Sequence, residues 1–158
     1  MGYTTYLKID GIAGECTEQA HHGWMAIDSF SHSVCAPPPR GGPVNMTDLS
    51  ICKFADRTMP LLARAAAEGR MFQFATIELC QTDARKSKFM EIRLSQVRVT
   101  MHSLSGSPQG DVRTPYENLT LGFDKIEWFY YPGAFETGSG KADEVRAGWC
   151  TESAMAIN

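Results

Sequence analysis

Five cysteines and four histidines offer the most chemistry in this chain of 158 residues. The cysteines (Cys16, Cys35, Cys52, Cys80 and Cys150) are odd in number and far apart, with no C-x-x-C pair. That spacing supports neither a local zinc site nor a dithiol redox motif, so the expectation is reduced thiols acting as small buried hydrophobes. His21 and His22 are adjacent, but successive strand side chains point to opposite faces, and no third metal ligand lies at a useful spacing. These two, with His32 and His102, are read as surface histidines. His32 and Cys35 fall on opposite strand faces, out of the hydrogen-bonding reach a nucleophile and its base require. The segment Phe135-Glu136-Thr137-Gly138-Ser139-Gly140-Lys141-Ala142 echoes the phosphate-binding pattern G-x-x-x-x-G-K-[ST]. Phe135 replaces the first glycine, and Ala142 lacks the hydroxyl that would hold magnesium, so the segment is read as a connecting loop. No G-x-S-x-G elbow is present. Asp28, Asp48, Glu78 and Glu91 stand singly, which leaves open only carboxylate pairs assembled in space. Asn45-Met46-Thr47 and Asn118-Leu119-Thr120 are chance matches to the glycosylation sequon. No catalytic residue, cofactor or metal is expected.

The elements that would position such residues are mostly strands. Residues 43% hydrophobic and 21% charged are ordinary for a globular chain, and this length suits one domain spanning residues 1–158. The net charge of −3 is scattered, with no basic patch for nucleic acid. The opening residues lack a basic region followed by an apolar run, so no secretory signal is expected. The myristoylation pattern at Gly2 fails at Tyr6. No run approaches the roughly 18 apolar residues of a membrane span.

Period-two alternation dominates. Tyr6–Ile9 opens the chain and turns at Asp10-Gly11. Trp24 to Val34 reads as one strand, with Ser29, Ser31 and Ser33 sharing a parity. Pro37-Pro38-Pro39-Arg40-Gly41-Gly42-Pro43 cannot sit inside a sheet and reads as an extended arm with a flexible hinge. Val44 to Phe54 returns to strand. One helix is expected over Thr58–Glu68, with Asp56 or Thr58 as cap, Pro60 in the first turn, Gly69 at the end, and Leu61, Leu62 and Ala65 as its apolar stripe. Later strands change parity midway: Phe72 and Phe74 against Ile77 and Leu79; Ile92 and Leu94 against Val97, Val99 and Met101; Leu119, Leu121 and Phe123 against Ile126, Trp128 and Tyr130. Such switches mark bulges or bends in a sheet folding toward a barrel. Ser103 to Pro115 and Pro132 to Lys141 read as loops. Three functions remain open on the residues alone: an assembling subunit, a monomeric small-molecule-binding barrel with Phe72, Phe74, Trp128 and Tyr130 lining a pocket, and a hydrolase built from scattered carboxylates or Cys/His residues. An arm too long for a tight hairpin and strands apolar on both parities favour assembly.

Several blocks then match a known pattern in order along nearly the whole chain. Tyr6-Leu7-Lys8-Ile9-Asp10-Gly11-Ile12-Ala13-Gly14-Glu15 and Ser29-Phe30-Ser31-His32 after Trp24 are two of them. Asp48–Asp56 through Pro60 and Leu61 to Gly69, Thr76–Cys80, Val97-Arg98-Val99, Glu117–Leu121 and Ala147-Gly148-Trp149 are the others. Together they resemble the haemolysin-coregulated protein (Hcp) family of type VI secretion. The resemblance implies a mainly β (α+β) fold: a compact antiparallel β-barrel with one flanking α-helix and an extended loop. It also implies a structural, non-enzymatic subunit forming stacked hexameric rings, with secretion sheath and spike-tip proteins as partners and effectors held in the lumen. Membrane insertion is not implied. Such a protein is cytoplasmic before firing, then expelled without a signal peptide. On this resemblance the segment containing Pro37, Pro38, Pro39, Arg40, Gly41, Gly42 and Pro43 is the loop that contacts a neighbour. Ser29, Ser31 and Ser33, from their shared parity and small polar side chains, are expected to face the lumen. The triple proline and the Pro132–Gly140 loop fall outside what the resemblance aligns.

Overall fold

The computed structural model describes residues 2–110, 114–135 and 144–157. The strands are β1 (Tyr3–Ile9), β2 (Met25–Ile27), β3 (Ser29–Ser31), β4 (Val34–Cys35), β5 (Asn45–Met46) and β6 (Leu49–Phe54). After the helix α1 (Met59–Glu68) come β7 (Met71–Gln81), β8 (Lys88–Ser105), β9 (Tyr116–Gly122), β10 (Lys125–Tyr130), β11 (Val145–Cys150) and β12 (Met155–Ile157). Every pairing is antiparallel.

The 18-residue β8 is the spine: its first half pairs with β7 and β10, and its second half with β9. From there the sheet runs one way as β7–β1–β2 and the other as β9–β6–β3, while β10 leads to β11 and β12. The fold is mainly β with one flanking helix, as expected, but among the described residues no continuous ladder closes the sheet. Its two arms instead meet in the covalent chain, where β2 and β3 are separated only by Asp28, whose N–H donates to Cys52 O at 2.8 Å. The single strand expected over Trp24–Val34 is therefore broken. Met25 and Ile27 are buried before Asp28, whereas Ser29 and Ser31 are exposed after it and Phe30 turns inward.

The parity switches do mark bends. On β8 and β7, Leu94 and Ala75 are buried, Gln96 and Gln73 are exposed, and Val97 and Phe72 are buried again. Gln96 makes the turn at φ 55°, a left-handed backbone that L side chains adopt at a cost. The register slips again between Val99 and Met101, so Met101 is 42% exposed and not in the core row as expected. Beside them β9 and β10 run end to end along β8, kinking at Phe123-Asp124. Each reversal keeps an apolar face inside as the sheet folds over, around a core that includes Leu7, Ile9, Leu49, Ile51, Ile77 and Leu94. Strand β8 also continues through Ser103–Ser105, read from sequence as loop. Pro132–Phe135 forms one 3-10 turn, while the phosphate-loop echo beyond Phe135 lies outside the described residues.

The helix α1 begins where Asp56 Oδ1 accepts the Thr58 N–H at 2.9 Å; Thr58 itself makes no side-chain cap. It ends at Gly69 with φ 64°, the left-handed residue that lets backbone N–H groups reach Ala65 and Ala66 carbonyls. Leu62 and Ala65 dock against the sheet, but Leu61 is 39% exposed and does not belong to the buried stripe.

Candidate assembly surface

The face of β3, β6, β9 and the second half of β8 that points away from the core carries mostly small neutral side chains at its middle, with Phe54 opposite Tyr116 at one end. Cross-strand register places Ser29, Cys52, Asn118 and Ser103 on one rung, and Ser31, Ser50, Thr120 and Met101 on the next. Neither rung contains Lys, Arg, Asp or Glu. Cys52 Sγ donates to Asn118 Oδ1 at 2.7 Å, and the slip at Thr100 brings its hydroxyl within 2.6 Å of both Asp48 Oδ2 and Thr120 Oγ1. Ser29, Ser31 and Ser33 are all exposed, with Ser33 held by Thr47 across the base of the arm. The sequence singled out the three serines but missed Ser50, Asn118, Thr120 and Ser103. For Ser50, Asn118 and Thr120 the signal was available, since they alternate with the buried Leu49, Ile51, Leu119 and Leu121; Ser103, between His102 and Leu104, carried no such signal.

The arm is a separate two-stranded hairpin. Val34 pairs with Met46 and Cys35 with Asn45, and between them Pro37, Pro38, Pro39, Arg40, Gly41, Gly42 and Pro43 are all exposed. Gly41 N–H closes a turn onto Pro38 O at 3.0 Å, with Gly41 at φ 92° and Gly42 at φ 135°. Exposed apolar side chains lie on the arm (Val34, 50%), on β7 (Phe74, 46%) and near the β11–β12 edge (Val145, 62%; Met155, 63%).

Behind the polar face lies a buried charge network. Lys53 and Glu117 face each other at core parity and are both fully buried, with Lys53 Nζ to Glu117 Oε2 at 2.7 Å. Lys53 also donates to Asp56 Oδ1 at 3.0 Å, and Glu117 Oε1 meets His102 Nε2 at 2.8 Å. Burial pushes the Asp56 carboxyl up, but hydrogen bonds from Thr58 and Lys53 outweigh it and hold it below the usual carboxylate range. At the end of the polar face Tyr116 donates to Asp28 Oδ2 at 2.8 Å, and this bond raises the phenol to about 12.

The surface expectation fails at His21, His32 and His102, and at two of them distant carboxylates draw the rings in. His102 is held by Glu117, and His21 is 4% exposed between Glu18 and Glu78. His32 turns in toward the rings of Phe123 and Trp128 while Cys35 is exposed on the arm, so the two form no pair. All five cysteines are free. Glu78 and Glu91 do face each other across β7–β8, but Lys88 Nζ lies 3.4 and 3.0 Å from them and Arg93 Nε 2.6 Å from Glu91, so their charges are neutralised. The aromatic pocket does not form: Phe72 is in the core at 3% exposure, while Phe74 and Tyr130 are exposed. A groove of about 990 Å³ near the start of α1 is lined by other residues, among them Asp28, Phe54 and Pro115.

Against this geometry, the sequence profile of the family described as "Type VI secretion system effector, Hcp" matches residues 6–130. The chain belongs to the Hcp family. It is 28% identical over 157 residues to the protein hcp1 of Pseudomonas aeruginosa, covering 94% of this chain and 95% of that one. Its fold is that of solved Hcp structures. Hcp1 from Salmonella typhimurium superposes with a TM-score of 0.84 at 22% identity, over 99% of this chain and 100% of the other. A second structure, a type six secretion system protein, gives 0.87 at 23% identity over the same shares. As an Hcp protein the chain is a type VI secretion component, and among the described residues no helix is long and apolar enough to cross a membrane.

Proposed function

We propose that this Hcp protein is the single-domain structural subunit of the type VI inner tube. It closes with sister copies into six-membered rings that stack inside the sheath beneath the spike-tip proteins. It waits in the cytoplasm and is expelled on firing. Ser29 and Ser31, with their rung partners Ser50, Asn118, Thr120 and Ser103, line the lumen and touch effector cargo; Ser33 extends the row to the arm. The arm from Pro37 to Pro43 lies across a neighbouring subunit or ring. The observation that carries the reading is the pair of rungs without charged side chains that spans four strands beside an exposed, proline-stiffened arm. A wet wall without charge lets cargo slide, and prolines reduce the entropy lost when an arm docks.

The test replaces Ser31 with Glu. The rungs then present a ring of negative charge toward the channel, so rings persist by size while co-purified cargo is lost. Cargo retained at the native level by intact Ser31→Glu rings removes these strands from the lumen.

A further inference from the structure

On the side of β1 and β7 away from the core, a second cluster plays no part in the assembly surface. Tyr6 pairs with Glu78 across the two strands, and Cys80 follows two residues later. The loop from Gly14 to Trp24 folds over them and sets His21 on top. The loop is rigidly tied: Gly14 N–H donates to Gly23 O at 2.7 Å and Cys16 N–H to Trp24 O at 3.0 Å. A Cβ at Gly14 would sit 2.3 Å from the Trp24 carbonyl oxygen, so only glycine permits this approach. The imidazole stacks on Tyr6 at 3.8 Å and 7°, and meets the edge of Trp24 at 4.9 Å.

We propose that His21, Glu78 and Cys80 form a binding site for a zinc ion, with Glu18 as the positioning residue that holds the histidine. One donor atom from each ligand lies within 4.8 Å of the others. His21 Nε2 is 2.8 Å from Glu78 Oε1 and 3.8 Å from Cys80 Sγ. Zinc bonds of about 2.0–2.3 Å at tetrahedral angles separate neighbouring ligand atoms by roughly 3.3–3.7 Å, so modest side-chain adjustment suffices. Glu18 Oε2 meets the other ring nitrogen at 2.5 Å, the carboxylate–histidine contact that fixes tautomer and ring orientation in metal sites. A sulfur, an imidazole nitrogen and one carboxylate oxygen suit zinc, whereas magnesium and calcium take oxygen ligands. Lys88 does not block the change, because its Nζ is nearer Glu91 (3.0 Å) than Glu78 (3.4 Å) and can stay with Glu91.

Zinc would take Cys80 as the thiolate and His21 through Nε2, with the displaced protons passing to solvent. The bound ion clamps the 14–24 loop to β7.

The experiment uses the chelator-stripped, full-length protein, titrated with zinc in competition with a chromophoric chelator and separately with cobalt. One zinc per chain is expected. Cys80→Ser and Glu78→Gln should each weaken binding by at least about 10-fold, while Cys35→Ser leaves it unchanged. Cobalt should give a thiolate charge-transfer band that disappears in Cys80→Ser and persists in Cys35→Ser. Absence of stoichiometric binding, or a cobalt band that survives Cys80→Ser, overturns the site. If Cys80→Ser does not fold, Glu78→Gln decides, and native affinity there overturns it. None of these results depends on ring formation.

Discussion

Replacing Lys53 with Met probes the buried charges beneath the polar face. Lys53 Nζ lies 2.7 Å from Glu117 Oε2 and 3.0 Å from Asp56 Oδ1, and the side chains of Lys53 and Glu117 have no solvent exposure. Met fills a similar volume, so the cost is electrostatic: the buried Glu117 loses its ammonium partner and is left with His102, and Asp56 loses one donor while still capping α1. Removing one partner of a buried pair costs about 3–5 kcal/mol, whereas replacing both by apolar groups costs far less. For a chain of this size that corresponds to a fall in Tm of roughly 6–20 °C. The double variant Lys53→Met/Glu117→Leu should recover part of the loss, with a coupling of about 1–3 kcal/mol in the cycle. Urea unfolding at several protein concentrations separates subunit stability from assembly. A Lys53→Met protein within about 1 kcal/mol of the native one, or single costs that simply add, would refute the reasoning.

Deleting Pro37 to Pro43 should leave a folded subunit, because the arm touches little else and Val34↔Met46 can still pair; assembly should weaken, and light scattering showing native-sized rings would count against the arm. Gln96→Gly should stabilise the subunit by about 1 kcal/mol, since it relieves the φ of 55°, and Gln96→Val should destabilise it; equal unfolding midpoints would place the strain elsewhere. The Asp56 carboxyl is held below its unfolded range, so its contribution is present above about pH 4 and is lost as pH falls through the folded value. Asp56→Asn should therefore flatten the acid limb of stability against pH, and an unchanged slope would contradict the network.

Much of the architecture was legible because it rests on local alternation. The switch from Leu94 to Val97 announced the bend at Gln96, and Asp56, Pro60 and Gly69 marked both ends of the helix. The serines on one parity likewise pointed to an exposed polar row. What escaped depends on residues far apart in sequence. His21 looked like a surface residue because Glu78, 57 positions away, supplies the carboxylate that lets it be buried. Lys53 and Glu117 both sit at core parity, yet only the β6–β9 register makes them partners. Asp28 breaks a strand that alternation alone would continue, because β2 and β3 pair with different neighbours. The mainly β fold and the family were readable from ordered blocks along the chain; the rungs that widen the serine row needed four strands in place.

The most direct measurement is the native mass of the purified protein across a range of concentrations. A closed ring six times the 17.5 kDa chain mass is expected, weakened by loss of the arm and unaffected by charge at Ser31. A protein that stays at one chain mass at high concentration is no ring-forming subunit.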